Sequence, residues 1–332
     1  MYANRPATER EPDSRTTRFG PRANLAETKS GIYLEGPFAK HIRGGKHGLE
    51  VTGVEGPAPP FDLSFDRILV SSHNRGTVSF AALEMMSTWG ISLDLIGKAG
   101  TTIASFTPQT NPDAERQLAQ MRCALNPRRQ LQVARAFVEA KIGGPTQAPT
   151  LPQLLTEEGK HAEEYWARLG VKRKSRFYGG INGNNSKAVE PTNAAINWAQ
   201  GINAAKWRLA IAKVGLSPYI GMLHRTRSGK EAFVYDCQEL TREVFDRAAI
   251  NFANAQTSDW TVRGSDFVYR LTPEATRNFY RFLNAAVLSR NFGFGRSCVA
   301  LDTFMVRTLR GLSNWFQEPT ENAPKLVAAI EG

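Results

Sequence analysis

Apolar and polar positions alternate over short runs in the first third of the chain, a spacing typical of β-strands. The segments IYLEG, FDRILVSS and ISLDLIG are each predicted to be a strand. AKHIRGGKHGLEVTG is predicted to be a hairpin that turns at Gly44-Gly45. FAALEMMSTW has helical spacing instead. Residues 29–108 are therefore expected to form a small β-rich domain.

Helical spacing dominates the rest of the chain. DAERQLAQMRCAL and RRQLQVARAFVEAKI predict two helices separated by Asn126-Pro127, and GGPTQAPTLPQ (143–153) predicts a linker. The longest pattern runs from about Asn193 to Val214 and ends at Gly215. The predicted fold is α+β and multidomain, with the β-rich N-terminal domain followed by a larger all-α domain at 109–332.

Composition adds a strong positive charge. The 332 residues include 42 Lys and Arg against 31 Asp and Glu, a net charge of +11. This length suits about two domains, and a polyanion is the expected partner of so basic a chain. Residues 1–28 are polar and rich in arginine, which predicts a flexible basic arm. A role for this arm in touching DNA and no role at all are equally open.

Missing motifs exclude some protein classes and leave P-loop ATP chemistry and a serine hydrolase without support. Three scattered cysteines without a CxxC pair exclude a disulfide framework and a thiolate zinc site. No HExxH, GxxxxGK[ST] or GxSxG motif occurs. No apolar run reaches the ~18 residues of a membrane span, so no membrane partner is expected. The N-terminus lacks the apolar core of a secretory signal, so a location inside the cell is expected.

An acidic residue occupies the apolar side of one predicted helix, TEEGKHAEEYWARLG. Thr156 is the predicted N-cap and Gly170 the predicted stop. Glu158 shares a stripe with Ala162 and Tyr165. A carboxylate that faces inward needs a cation or a donor. It is therefore either a metal or catalytic group, or a first-turn acid that favours the helix dipole.

Two further candidate groups follow in the chain. His224 ends the segment LSPYIGMLH, which is predicted to be extended, and FVYD after it is predicted to be strand-like. A lone histidine in such a place is more often structural than a ligand. Asp236 and Glu239 have the spacing of a capping box at the start of a helix. The alternative is that these carboxylates offer oxygen ligands to a metal.

A cationic window surrounds His224. No Asp or Glu occurs between Pro191 and Lys230, which predicts either a phosphate-binding surface or a solvated basic face. The candidate DNA-binding cations, chosen because they lie on the preceding helix or next to His224, are Lys206, Arg208, Arg225, Arg227 and Lys230.

The order of four motifs carries a family resemblance. EGKHAEEYW, NAAINWAQG, GLSPYIGMLH and VYDCQELTRE together resemble CRISPR-associated protein one, the integrase of CRISPR adaptation, over most of the chain from Gly31 onward. The resemblance implies a β-rich N-terminal dimerisation domain and an all-α catalytic domain. It implies Glu158, His224 and Glu239 as metal ligands and Asp236 as a further catalytic acid.

The implied reaction is metal-dependent integration, in which the 3′-hydroxyl of a short DNA attacks a phosphodiester of a CRISPR array. Mg²⁺ or Mn²⁺ is the implied cofactor. The implied partners are double-stranded, branched DNA, a second copy of the chain in a homodimer, and CRISPR-associated protein two, which bridges two dimers.

Departures from the family pattern keep other functions open. Trp198 replaces the more usual Tyr, and Cys237 and Gln238 replace Leu and Met, which indicates a divergent member. A casposon-type transposon integrase and a metal-dependent nuclease on branched DNA use the same ligands. A non-catalytic DNA-binding scaffold is a further alternative, and an adaptor without nucleic acid conflicts with the cationic window.

Overall fold

The architecture is that of a computed structural model. It describes residues 17–19, 32–34, 40–45, 48–52, 67–71, 76–88, 90–97, 102–108, 113–171, 188–257, 259–288, 290–294 and 297–329. Most of the basic arm predicted at 1–28 lies outside the described residues. Among the described helices, none is both long enough and apolar enough to span a bilayer.

Among the described residues, eight strands and one helix precede residue 109. The strands are β1 (Thr17–Phe19), β2 (Ile32–Leu34), β3 (Lys40–Gly45), β4 (Gly48–Thr52), β5 (Arg67–Ser71), β6 (Gly76–Val78), β7 (Ser92–Ile96) and β8 (Thr102–Phe106). They form two four-stranded sheets, ordered β1-β4-β3-β6 and β2-β5-β7-β8. Helix α1 (Phe80–Thr88) packs against β3, and a small core includes Ile42, Ala82 and Met86.

The hairpin prediction needs a correction at its turn. Strands β3 and β4 pair in antiparallel register, and Gly45 lies opposite Gly48. Gly44 and Gly45 therefore belong to the strand and do not form the turn. The ladder extends to Gly45 because both glycines retain a backbone N–H and carbonyl for pairing.

Nine helices in total are described, and eight of them follow residue 108. They are α2 (Ala114–Leu125), α3 (Pro127–Ile142), α4 (Leu151–Arg168), α5 (Pro191–Val214), α6 (Ala232–Gln238), α7 (Arg242–Asn254), α8 (Pro273–Leu283) and α9 (Leu301–Gln317). A π-helical turn, Asn284–Leu288, continues α8. Helix α5 is apolar on nearly all sides, so it lies in the centre and packs against α7 and α9.

The C-terminal region is not all-helical as predicted. It contains two antiparallel hairpins, β9 (Thr261–Arg263) with β10 (Tyr269–Leu271), and β11 (Asn291–Phe294) with β12 (Ser297–Ala300). Each of these strands has only three or four residues, so the helical periodicity on either side hides them.

The boundaries of α4 also differ from the prediction. The helix begins at Leu151 with Thr150 as N-cap, so Thr156 lies inside it and the linker predicted at 143–153 ends earlier. Pro152 is compatible with this start, because the first helical turn does not need its N–H. Gly170 follows the helix with a φ of 69°, so the predicted stop is confirmed.

The segment FVYD is helical and not strand-like, because it belongs to α6. Asp236 consequently lies within α6 and is not an N-cap. Thr241 precedes α7 instead, without a side-chain capping bond. The helix prediction for the longest pattern is confirmed, since α5 ends at Gly215 with a φ of 82°.

Candidate functional site

Two of the predicted ligands meet around a lysine. Lys141, in the last turn of α3, forms an ion pair through Nζ with Oε1 of Glu158 on α4. The same Nζ lies 2.7 Å from Oε2 of Glu239, in the turn after α6. Three segments distant in sequence therefore converge on one cation, and the Glu158 and Glu239 carboxylates flank it.

Glu239 is also held by Arg242. The Arg242 guanidinium donates from Nε to Oε2 at 2.9 Å and from the terminal nitrogen to Oε1 at 2.7 Å, a two-point pairing. The Glu239 side chain is only 5% exposed. Burial alone raises the pKa of this carboxyl, but Arg242 and Lys141 outweigh it and hold the pKa well below its ordinary value. Glu239 is therefore ionised at neutral pH.

Asp236 performs a different task. Its side chain is completely buried and accepts backbone hydrogen bonds from Met222 (2.5 Å), Leu223 (3.1 Å) and His224 (2.7 Å). Its Oδ1 also lies 2.7 Å from Nδ1 of His224. The carboxylate of Asp236 thus gathers the loop before α6 and orients the imidazole of His224. It does not face the Glu158–Glu239 pair with a free oxygen.

His224 is oriented with Nδ1 inward. Burial lowers the pKa of the imidazole, but the Asp236 hydrogen bond and charge outweigh it, and Glu239 adds to the rise, so the net shift is upward. Glu239 is therefore close enough to His224 to act on it electrostatically. A ring whose Nδ1 is fixed by a carboxylate presents Nε2 to a ligand, a common arrangement at metal sites.

The His224 loop is held by close packing and by buried amides. A Cβ on Gly221 would lie 2.4 Å from the His224 carbonyl oxygen and 2.7 Å from the Ala232 Cβ, so only glycine allows the loop to approach α6. From α2, Gln120 donates to the Ser217 and Ile220 carbonyls at 3.0 and 2.9 Å. The loop geometry is thus fixed from two sides.

A buried polar network connects the helices below the site. The Tyr165 hydroxyl on α4 donates to Asp246 Oδ2 at 2.9 Å, and Gln200 on α5 donates to Asp246 Oδ1 at 2.8 Å. Burial and the Asp246 charge raise the pKa of Tyr165. Gln238 in turn donates to the Gln200 carbonyl at 2.9 Å. Helices α4, α5, α6 and α7 are therefore tied together directly beneath Glu239.

A cleft of about 940 Å³ opens beside Glu239. Lys141, Arg242 and Tyr165 contribute to its wall, as do the exposed Arg168 and Arg247. Glu158 and His224 are not among its lining residues. The cleft thus offers an approach to Glu239 through a wall of mixed character, in which apolar side chains alternate with cations and with Glu164 and Glu243.

The last described segment of the chain closes one side of this cleft. The Glu321 carbonyl accepts a hydrogen bond from Gln132 on α3 at 2.6 Å, and the Ala329 N–H donates to the Leu240 carbonyl at 2.7 Å. Ala329 is buried and lines the cleft. We call residues 318–329 the C-terminal strap. It brings a distant part of the chain next to Glu239.

The predicted DNA-binding cations divide into two groups. Lys206 is buried and pairs with Asp302 at 2.6 Å, and Arg208 makes a two-point pair with Glu231 at 2.6 Å for each contact. Both are engaged inside the protein, because helix α5 is central, so the structure argues against their prediction as phosphate contacts. The other three predicted cations, all in the exposed loop after His224, are Arg225, Arg227 and Lys230.

The candidate ligand side chains meet the requirements of a divalent-cation site only in part. No cluster of three or more His, Cys, Asp or Glu side chains with metal-binding geometry occurs among the described residues. Glu158 and Glu239 nevertheless both contact one ammonium, so a single ion at that point reaches an oxygen of each. Hard carboxylate oxygens are suitable ligands for Mg²⁺ and Mn²⁺. The two glutamates fit, whereas His224 is linked to Glu239 only through its electrostatic effect and already has its Nδ1 paired with Asp236.

Sequence patterns do not single out Lys141, Arg242, Gln120 or Asp246. Arg242 follows Glu239 at a spacing of three, which is a weak signal for an ion pair. Gln120 is a polar residue on the buried side of α2, and a polar residue at such a position indicates an amide with a structural hydrogen-bonding role. Lys141 gives no signal of its own, because its partners lie on other helices.

Known proteins resemble the chain over limited stretches. It is 30% identical over 116 residues to a CRISPR-associated endonuclease Cas1 of Pyrobaculum aerophilum, covering 35% of this chain and 37% of that one. It is 37% identical over 109 residues to one of Saccharolobus solfataricus, covering 31% and 30%. The matched stretches thus span about a third of these relatives' length.

Solved structures share the fold over nearly the whole chain. A casposase bound to integration product has a TM-score of 0.75 at 17% identity and covers 89% of this chain and 92% of that one. A Cas6-RT-Cas1–Cas2 complex has a TM-score of 0.68 at 15% identity, covering 94% and 37%. A TtCas1–DNA complex has a TM-score of 0.60 at 22% identity, covering 91% and 99%.

The family assignment depends on the sequence model of CRISPR-associated protein Cas1. It matches residues 64–147 and 144–285, which together are more than half of the chain and include Lys141, Glu158, His224, Asp236 and Glu239. The chain belongs to the Cas1 family.

Proposed function

We propose that this protein is a metal-dependent DNA integrase of CRISPR adaptation that joins the 3′-hydroxyl ends of short DNA to a target phosphodiester. The observation that carries the proposal is the convergence of Glu158 and Glu239 on one cation position. A histidine oriented by Asp236 lies within electrostatic reach of Glu239. These residues are the positions at which the family motifs place catalytic groups.

Glu158, Glu239 and His224 are the proposed ligands of Mg²⁺ or Mn²⁺. A bound divalent ion supplies polarisation of the scissile phosphodiester and stabilisation of the leaving oxygen. Glu239 remains ionised near neutral pH, as a ligand must, because Arg242 and Lys141 stabilise its negative charge. Asp236 positions His224 and therefore acts through the imidazole.

Double-stranded and branched DNA is the proposed substrate. The exposed Arg225, Arg227 and Lys230 follow His224 directly and are proposed to contact its phosphates. We also propose a homodimer formed through residues 29–108 and a complex with Cas2. The support for DNA and for Cas2 is the shared fold with a TtCas1–DNA complex and with a complex that contains Cas1 and Cas2. The homodimer follows from the family resemblance alone.

The test is a strand-transfer assay. Purified protein is mixed with Mn²⁺, an end-labelled short duplex and a supercoiled plasmid, and label joined to the plasmid is measured. Glu158→Gln, Glu239→Gln and His224→Ala are each expected to lower joining at least about 100-fold, because each removes a ligand from the proposed ion. The matched control is Glu163→Gln, which removes an exposed carboxylate from the same helix as Glu158.

The assay also separates the proposal from its alternatives. Shortened label without joining indicates a nuclease that uses water in place of the 3′-hydroxyl. Joining that needs particular donor ends but no CRISPR repeat in the target indicates a casposon-type integrase, which the shared fold with a casposase makes the second candidate. Joining that persists in Glu239→Gln would contradict the assigned site.

A further inference from the structure

We propose that Lys141 is an internal competitor of the divalent ion: its ammonium occupies the cation position between Glu158 and Glu239 and must leave before the ion can bind both carboxylates. This inference rests on the proposed function, because it concerns the same two glutamates. It assigns to Lys141 a role in setting the affinity of the site for metal.

The first support is position. The Lys141 Nζ contacts an oxygen of Glu158 and, at 2.7 Å, an oxygen of Glu239, so it lies where an ion shared by the two carboxylates must lie. The Lys141 side chain is 14% exposed and Glu239 is 5% exposed. An ion cannot enter this space alongside the ammonium.

The second support is the balance of charge. Glu158 and Glu239 carry two negative charges, and Lys141 and Arg242 carry two positive charges, so the group is neutral. Adding a divalent ion while all four stay in place would leave two uncompensated positive charges in a poorly solvated site. Like charges at such distances repel strongly away from bulk water. Withdrawal of one of the two cations halves this excess charge and therefore favours binding of the ion.

The third support is the difference in attachment between the two cations. Arg242 grips both oxygens of Glu239 with a planar guanidinium and lies at the start of α7. Lys141 offers a single nitrogen on a flexible four-carbon stem at the end of α3, on the wall of the cleft. The Lys141 side chain can move its ammonium toward the cleft while the Arg242 guanidinium stays paired with Glu239. Lys141 is therefore the cation that leaves when the ion binds.

The experiment is a calorimetric titration of the full chain with Mn²⁺. Lys141→Met is expected to bind Mn²⁺ about tenfold more tightly than the unmodified protein, because no tethered charge has to be displaced. In chelator the variant is expected to melt at a lower temperature, since Glu158 then loses its ion pair and Glu239 keeps Arg242 alone. Saturating Mn²⁺ is expected to raise that temperature more than it does in the unmodified protein.

Matched variants keep the result interpretable. Lys160→Met removes an exposed lysine two positions from Glu158 and is expected to leave the Mn²⁺ affinity within about twofold, because exposed charges are screened. Lys141→Gln, which keeps a donor and a long side chain, replaces Lys141→Met if the latter does not fold. It is expected to show the same gain in affinity.

Two results would overturn the inference. Equal or weaker Mn²⁺ binding in both Lys141 variants, with binding lost in Glu239→Gln, means that the glutamates bind metal but Lys141 does not compete. Failure of the unmodified protein and of every variant to bind Mn²⁺ overturns the proposed metal site and this inference with it. The Glu239→Gln titration thus separates the two failures.

Discussion

Asp236 and Glu239 are buried carboxylates only three residues apart, yet their charges are neutralised in opposite ways. Asp236 is surrounded by three backbone N–H groups and one imidazole. Glu239 is paired with two cationic side chains, Arg242 and Lys141. Backbone donors cannot leave without unfolding the loop, whereas a lysine can swing away.

The contrast assigns a separate task to each residue. The Asp236 carboxylate is part of the framework, because its partners define the loop that carries His224. The Glu239 carboxylate is paired with a cation that can be exchanged, Lys141. A metal ligand needs such a partner, because the incoming ion takes its place. Four comparisons sharpen or break this distinction, beginning with the largest expected effect.

Asp236→Asn is expected to cost about 3–5 kcal/mol of the free energy of unfolding, since it removes a buried charge from donors that have no other acceptor. Glu239→Gln is expected to cost less, about 1–2 kcal/mol, because Lys141 still pairs with Glu158 and the charge of Asp246 still acts on Arg242. Urea denaturation of both variants measures the difference. Equal costs would contradict the distinction between framework and exchangeable charge.

Mn²⁺ is expected to stabilise the protein by about 2.7 kcal/mol when its concentration is a hundred times the dissociation constant. Glu239→Gln should lose most of this gain, whereas the exposed control Glu163→Gln should keep it. Thermal unfolding with and without chelator is the measurement. A gain that survives in Glu239→Gln would place the bound ion elsewhere.

Arg242→Gln is expected to cost about 2 kcal/mol at neutral pH, because it removes the two-point pair with Glu239. The pKa of Glu239 is depressed in the folded protein, so this stabilisation is complete above the ordinary value of 4.5 and is lost as the pH falls. The difference in stability between the two proteins should therefore shrink below pH 4.5. Urea denaturation of both proteins from pH 7 to pH 3 measures this difference in the free energy of unfolding. A difference that does not change with pH would count against the pairing of Arg242 with Glu239.

His224→Gln is expected to have the smallest effect on stability, because the imidazole is 42% exposed and solvent screens its pair with Asp236. The pKa of His224 is raised in the folded protein, so the paired charge contributes fully below the ordinary value of 6.5. The advantage of the unmodified protein should fall as the pH rises through the folded pKa. A constant advantage from pH 5 to pH 8 would show that the imidazole is not charged in this pair.

The sequence predicts the elements far better than it predicts the partners. Helices α5 and α7 and strands β5 and β7 follow from periodicity, because one face or all faces of each are buried. The α6 helix was mistaken for a strand because four residues of FVYD are too few to show a period. The end of the linker at Leu151 was missed because proline in a first helical turn resembles proline in a loop.

The site was predictable only in its ligands. Motifs indicate Glu158, His224 and Glu239, but no spacing reveals Lys141, which meets its partners only once α3, α4 and the turn after α6 are packed together. The capping-box interpretation of Asp236 was wrong for a related reason. Local spacing cannot show that a loop twelve residues earlier takes up the carboxylate.

The C-terminal strap has a practical consequence for making and labelling this protein. Because the Ala329 N–H binds the carbonyl of Leu240, the neighbour of Glu239, anything fused after residue 329 emerges beside the cleft. A purification tag or fluorophore placed there would lie against the candidate catalytic groups. Its steric blocking would lower the measured activity in the same way as an inhibitor. The exposed Cys298, which does not line the cleft, is the safer labelling position for any assay of DNA joining.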